Sequence, residues 1–151
     1  MNQPTKLNAI YSATGQISLD DIADIAKAGF QTIITLRPDL EGGADQPSST
    51  KIALACQNNG ITHQYIPVQM GNITSENIAA FEKIYATSPK PILAYCKSGG
   101  RATNLFNLSN VNQNHAGETS AKPNGLLAWF KSKCLITRVY RAIKAIIQPK
   151  T

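Results

Sequence analysis

Pro91-Ile92-Leu93-Ala94-Tyr95-Cys96-Lys97-Ser98-Gly99-Gly100-Arg101, running on through Ala102 to Leu108, is the stretch that decides the fold. Its first part is short, continuous and apolar, which suits a strand buried on both faces of a parallel sheet. The glycine pair then ends the strand, and residues 101–108 can open a helix directly behind it. Each part of the intervening turn answers one need of an anion site. Paired glycines let backbone N–H groups turn inward as a nest, a helix N-terminus adds about half a positive charge, and an arginine fork grips two oxygens. The same field favours a thiolate, since cysteines so placed titrate at roughly 3.5–7.5 instead of about 8.5. Cys96 is therefore expected to be largely ionised at neutral pH, with Lys97, Ser98, Gly99, Gly100 and Arg101 forming an anion-binding loop around it. A core thiol beside an ordinary turn is the plainer alternative, but that turn would need neither Arg101 nor two glycines.

Working upstream, Asn8–Ser12 reads as a first strand, and Ser18 with Asp21 as the reciprocal cap of a helix that buries Ile22 and Ile25 and stops at Gly29. Thr32–Leu36 is a β-branched strand followed by a polar loop from Arg37 to Pro47. A second helix from Ser49 to Asn58 buries Ile52 and Cys56; Gln64–Val68 is the next strand; Thr74 caps a third helix carrying Ile78, Phe81 and Tyr85. Strands alternating with helices at this spacing imply an α/β fold, a central, mostly parallel sheet with helices on both faces, over residues 1–108. The Cys96 loop then falls at the carboxyl end of a central strand, where such sheets keep their sites.

Residues 109–124 are almost all small or polar, which is linker chemistry, and residues 125–148 return to an amphipathic pattern, a C-terminal basic helix. The net charge of +6 comes from this end, because Glu118 is the only acid after Arg101. Such a helix suits docking on an anionic membrane surface or a partner protein, and equally suits packing on its own sheet. An adaptor is thus the rival from another function class. Nucleic-acid binding is disfavoured, since the charge is not interleaved with stacking aromatics. Cys56, Cys96 and Cys134 make no disulfide framework and no zinc spacing, so no metal or cofactor is expected, and reduced thiols fit a cytoplasmic protein. The N-terminus lacks the apolar core of a secretory signal, and no stretch approaches the roughly 20 apolar residues that span a bilayer. His63 reads as a surface residue at a strand edge.

Three motifs in order, Thr32-Ile33-Ile34-Thr35-Leu36-Arg37-Pro38-Asp39 with Glu41, then Tyr65-Ile66-Pro67-Val68, then Pro91 to Arg101, resemble the phosphatase-like domain of the beta-lactamase hydrolase-like proteins over about residues 8–108. That bacterial family is similar in fold to dual-specificity tyrosine phosphatases. The resemblance implies Cys96 as nucleophile and Arg101 as the residue that grips phosphate. Members occur alone or fused to metal-dependent hydrolase or flavin-dependent sulfide-oxidising domains. The tail departs from the family pattern, consistent with the front portion of a longer fused protein.

The resemblance implies a cysteine-dependent phosphatase-like hydrolase acting on a phosphorylated small molecule or protein. A proton donor is then required, and tyrosine phosphatases take it from a loop that here reads Val68-Gln69-Met70-Gly71-Asn72 and holds no acid. Asp39, or else Glu41 or Asp45, is the candidate to replace it, and each reads equally well as part of a solvated polar loop. Two further departures stand out. Four residues separate Cys96 from Arg101 where dual-specificity enzymes have five, and Ala102 follows where a hydroxyl is usual. Four is also the spacing of rhodanese-type sulfurtransferases, in which Cys96 would carry a persulfide from a sulfur-containing donor and need no acid. The phosphatase reading stands slightly ahead.

Overall fold

The computed structural model describes residues 3–111. The helix expected over residues 125–148, and all but the first residues of the expected linker 109–124, lie outside them. The elements in chain order are β1 (Thr5–Lys6), β2 (Tyr11–Thr14), α1 (Asp21–Lys27), β3 (Thr32–Thr35), α2 (Ser49–Asn58), β4 (Thr62–Tyr65), α3 (Ser75–Thr87), β5 (Ile92–Tyr95) and α4 (Gly100–Leu108). The strands form one sheet in the order β1-β2-β5-β3-β4. All pairings are parallel except that of β1 with β2. β5 thus lies inside the sheet, with Tyr95 in register with Thr14 of β2 and Thr35 of β3.

Side chains alternate across a strand, so the sheet builds two cores. On one face Tyr11, Ile34, Ile92 and Ala94 pack with Phe81 and Tyr85 of α3 and Leu105 and Phe106 of α4. On the other, Ile33, Leu93 and Tyr95 pack with Ile22 and Ile25 of α1 and Ile52 and Cys56 of α2. Tyr11 stacks on Phe106 at a centroid distance of 4.8 Å and meets Phe81 edge-on at 5.5 Å. Its hydroxyl donates to the Ala102 carbonyl at 3.1 Å, which ties the first turn of α4 to β2.

The helix signals act much as their chemistry requires. Ser18 and Asp21 exchange bonds, Ser18 N donating to Asp21 Oδ2 at 2.7 Å and Asp21 N to Ser18 Oγ at 3.3 Å, just ahead of α1. Gly29, at φ 90°, and Phe30 close α1 by donating to Ala26 and Ile25, the paired bonds of a Schellman stop. Thr74 and Asn77 form the reciprocal cap of α3.

β1 (Thr5–Lys6) is a strand the sequence reading did not expect, and two expected strands have other limits. The first begins at Tyr11, not Asn8, because Asn8 forms the turn between β1 and β2: its Oδ1 accepts from Ile10 N, and its own amide donates to Tyr11 O. β4 covers Thr62–Tyr65 and not Gln64–Val68: Thr62 N and Ile66 N donate to Gln31 O and Thr35 O in step, and Val68 N then meets Leu36 O, one residue short of that step. Ile66 and Val68 are still buried, and their amides follow β3 past its end, donating to Thr35 O and Leu36 O at 2.9 Å. Among the described residues no helix is long and apolar enough to cross a membrane.

Candidate active site

β5 delivers Cys96 to the carboxyl end of the sheet, clasped on both sides. Leu36 N donates to Tyr95 O at 2.9 Å and Cys96 N to Thr14 O at 3.4 Å. The chain then turns through Lys97 and Ser98, both exposed, to Gly99 at φ 92°, the left-handed residue from which α4 starts. A Cβ on Gly99 would stand 3.3 Å from the Thr14 carbonyl carbon, so the loop lies directly on the end of β2. Gly99 N donates to Cys96 Sγ at 3.2 Å. Cys96 as a residue is only 1% exposed. Burial opposes ionisation of such a thiol, yet the backbone amides of Ser98, Ala102, Arg101 and Gly99 outweigh it and hold Cys96 below its ordinary value. Cys56 shows the contrast: it has only the burial, which pushes it up to about 11.

Arg101 occupies the first turn of α4 and is 8% exposed. Its Nη1 donates to Glu41 Oε1 and to Val68 O, both at 2.7 Å, and its Nη2 donates to Glu41 Oε2 at 2.8 Å. Beyond those three bonds, a side-chain hydrogen bond also joins Arg101 to Cys96. Glu41, aided by the nearby Cys96 charge, raises the affinity of Arg101 for its proton still further. Glu41 also accepts from Arg37 Nε at 2.8 Å. Arg101 chiefly, then Arg37, hold the Glu41 carboxyl down at about 2 against the opposing effect of burial. It is a permanent anion in neutral water.

The three acids of the β3–α2 connection therefore have separate fates. Glu41 clamps Arg101. Asp39 lies elsewhere: its Oδ1 accepts from Ser49 N and its Oδ2 from Ser49 Oγ, each at 2.7 Å, so both oxygens serve the N-terminus of α2. Asp45 is exposed. His63, expected at the surface, is half-buried on β4 with Nε2 2.8 Å from Thr35 Oγ1, and burial lowers its pKa. Thr35 Oγ1 also donates to Tyr95 OH at 3.0 Å, one residue from Cys96. Sequence reasoning missed Arg37 and Gln16, which join at 2.9 Å through Arg37 Nη1 and Gln16 Oε1. The available signal was a charged residue straight after a buried strand with a glutamate four positions on.

An activated thiol, a nest of amides and a buried guanidinium can together hold a tetrahedral oxyanion against a sulfur nucleophile. The family model for the beta-lactamase hydrolase-like protein, phosphatase-like domain, matches residues 5–113. The beta-lactamase hydrolase-like protein of Xylella fastidiosa (strain Temecula1) is 35% identical over 105 residues, which are 70% of this chain and 24% of that protein. The protein of the same description from Agrobacterium fabrum (strain C58) is 29% identical over 153 residues, 97% of this chain and 35% of that one. The chain thus spans about a quarter to a third of the length of these curated relatives. A crystal structure from Neisseria meningitidis z2491, provisionally designated a phosphatase, superposes with TM-score 0.62 at 30% identity, covering 67% of this chain and 71% of that one. On its sequence, its sheet and its cysteine loop, the chain belongs to the phosphatase-like domain family of the beta-lactamase hydrolase-like proteins.

Proposed function

We propose that the chain is a cysteine-dependent, phosphatase-like hydrolase in which Cys96 attacks an oxyanion seated in the loop from Lys97 to Arg101. The observation that carries this reading is the convergence of four backbone amides on a buried sulfur that an arginine flanks. Cys96 Sγ would form a bond to phosphorus as the bond to the departing oxygen breaks, giving a cysteinyl phosphate. Water would then add to phosphorus and expel the thiolate, returning Cys96 to its starting state. The loop amides and Arg101 stabilise the three equatorial oxygens through both steps.

The departing oxygen needs a proton unless it leaves as a stable anion. Glu41, ionised down to about pH 2, cannot give one at neutral pH, and Asp39 is bonded to Ser49 through both oxygens. This favours substrates with good leaving groups, such as aryl esters over alkyl ones. The same observation supports a second reading, sulfur transfer. There Cys96 attacks the outer sulfur of a persulfide or thiosulfonate, the donor's S–S bond breaks, and a persulfide on Cys96 passes to an acceptor thiol without any proton donor.

Turnover of p-nitrophenyl phosphate set against thiosulfate-to-cyanide transfer separates the two, and Cys96→Ser should abolish whichever is present while the protein stays folded. Mass spectrometry adds a direct readout, since sulfur transfer leaves the mass of one sulfur atom on Cys96. Retained turnover in Cys96→Ser would overturn both readings. Absence of both activities in wild type, with lipid or partner binding intact, would point to an adaptor.

A further inference from the structure

Arg37, two residues past the end of β3, completes a closed ring of contacts that begins and ends on the Cys96 loop. The Lys97 carbonyl accepts from Gln16 N at 3.3 Å, and Gln16 Oε1 accepts from Arg37 Nη1 at 2.9 Å. Arg37 Nε donates to Glu41 Oε2 at 2.8 Å, and Glu41 grips Arg101 at 2.7 and 2.8 Å. Lys97 and Arg101 are the two ends of one loop, so the ring clamps it at both.

Burial shows that the ring is built in. Arg37 is 8% exposed, and a guanidinium so placed must have its charge answered. Gly42 makes room for it: a Cβ there would stand 2.5 Å from Arg37 Nη2 and 3.0 Å from its Cζ. Among the described residues no buried side-chain nitrogen or oxygen lacks a partner. Glu41 by contrast sits on an irregular connection between exposed Leu40 and Gly42, and a carboxylate there orients Arg101 only as firmly as it is itself held. Arg37 issues from the sheet, so it can pass the sheet's rigidity outward to Glu41 and on to Arg101.

We propose that Arg37 is a positioning residue for Arg101: through Glu41 it fixes the guanidinium for the incoming oxyanion, and through Gln16 it ties that orientation to the backbone of the Cys96 loop. This rests on the reading of Cys96 and Arg101 as the anion site, whichever group is transferred there.

The test uses the full chain and protection of Cys96 from iodoacetamide by inorganic phosphate, with the pH profile of alkylation and the melting temperature measured alongside. Arg37→Met keeps the stem and removes the fork. It should weaken phosphate protection roughly tenfold, the scale of one hydrogen bond between charged groups. The midpoint of the alkylation profile should stay in place, because the amides around the sulfur remain. Gln16→Leu should act in the same direction more weakly. Arg37→Lys should rescue little, since a single ammonium lacks the planar fork. The double variant should be no worse than Arg37→Met alone, because both cut one ring. Should Arg37→Met not fold, the Gln16→Leu result decides. The proposal is overturned if phosphate protects Arg37→Met as well as wild type, or if Arg37→Lys restores it fully. A wild-type Cys96 that titrates like a free thiol and that phosphate does not protect would sink the anion-site reading itself, and is told apart because the unmutated protein fails.

Discussion

Of the two adjacent glycines in the Cys96 loop, only Gly99 is in the left-handed region, with φ 92° and the Thr14 backbone 3.3 Å from where a Cβ would be. Gly99→Ala should lower stability by about 1–3 kcal/mol and slow alkylation of Cys96 at neutral pH, because the amide 3.2 Å from the sulfur is displaced. Gly100 has no such φ, and its nearest neighbour for a Cβ is Ser98 Oγ at 3.7 Å, so Gly100→Ala should stay within about 0.5 kcal/mol of wild type. Thermal melts and alkylation rates of the pair check this, and equal losses would refute it. Sequence reading recognised the double glycine as a nest but could not divide the work between its members, since φ depends on what the loop rests against. Asp39 and Glu41 show the same limit. Two acids two residues apart look interchangeable in sequence, and only closure of the connection sends one to Ser49 and the other to Arg101.

At the scale of elements, the β3–α2 connection is joined to both of its neighbours by charge. Asp39 accepts the Ser49 amide at the first residue of α2, where a carboxylate also meets the positive end of the helix. Asp39→Ala should therefore cost about 1–2 kcal/mol of stability, as loss of an N-terminal cap does. It should leave the alkaline limb of any pH–rate profile unchanged. A variant that melts like wild type and loses that limb would instead make Asp39 the proton donor. Helices were legible because their caps and stripes are local: α2 and α3 run as their sequence pattern implies. Strand limits were less so. Their ends depend on a neighbour's hydrogen bonds, and beyond β4 the register to β3 slips by one residue between Ile66 and Val68.

For the molecule as a whole, the alternation of strands and helices made the α/β class readable, and the resemblance of the loop motifs agrees with the family match over residues 5–113. The ion ring adds a pH dependence. Glu41 titrates at about 2 in the fold against an ordinary 4.5, so its contribution is complete above pH 4.5 and disappears as pH falls through about 2. Urea unfolding from neutral pH down to about 2 should show wild type losing stability across that window. Glu41→Gln should be weaker at neutral pH and flatter on acidification; parallel curves would contradict the assignment. The two-sided core has one more consequence. Cys56 and Cys96 are both free thiols, buried in clusters on opposite faces of the sheet. With the sheet between them, Cys56 is not placed to serve as a resolving thiol for an oxidised Cys96.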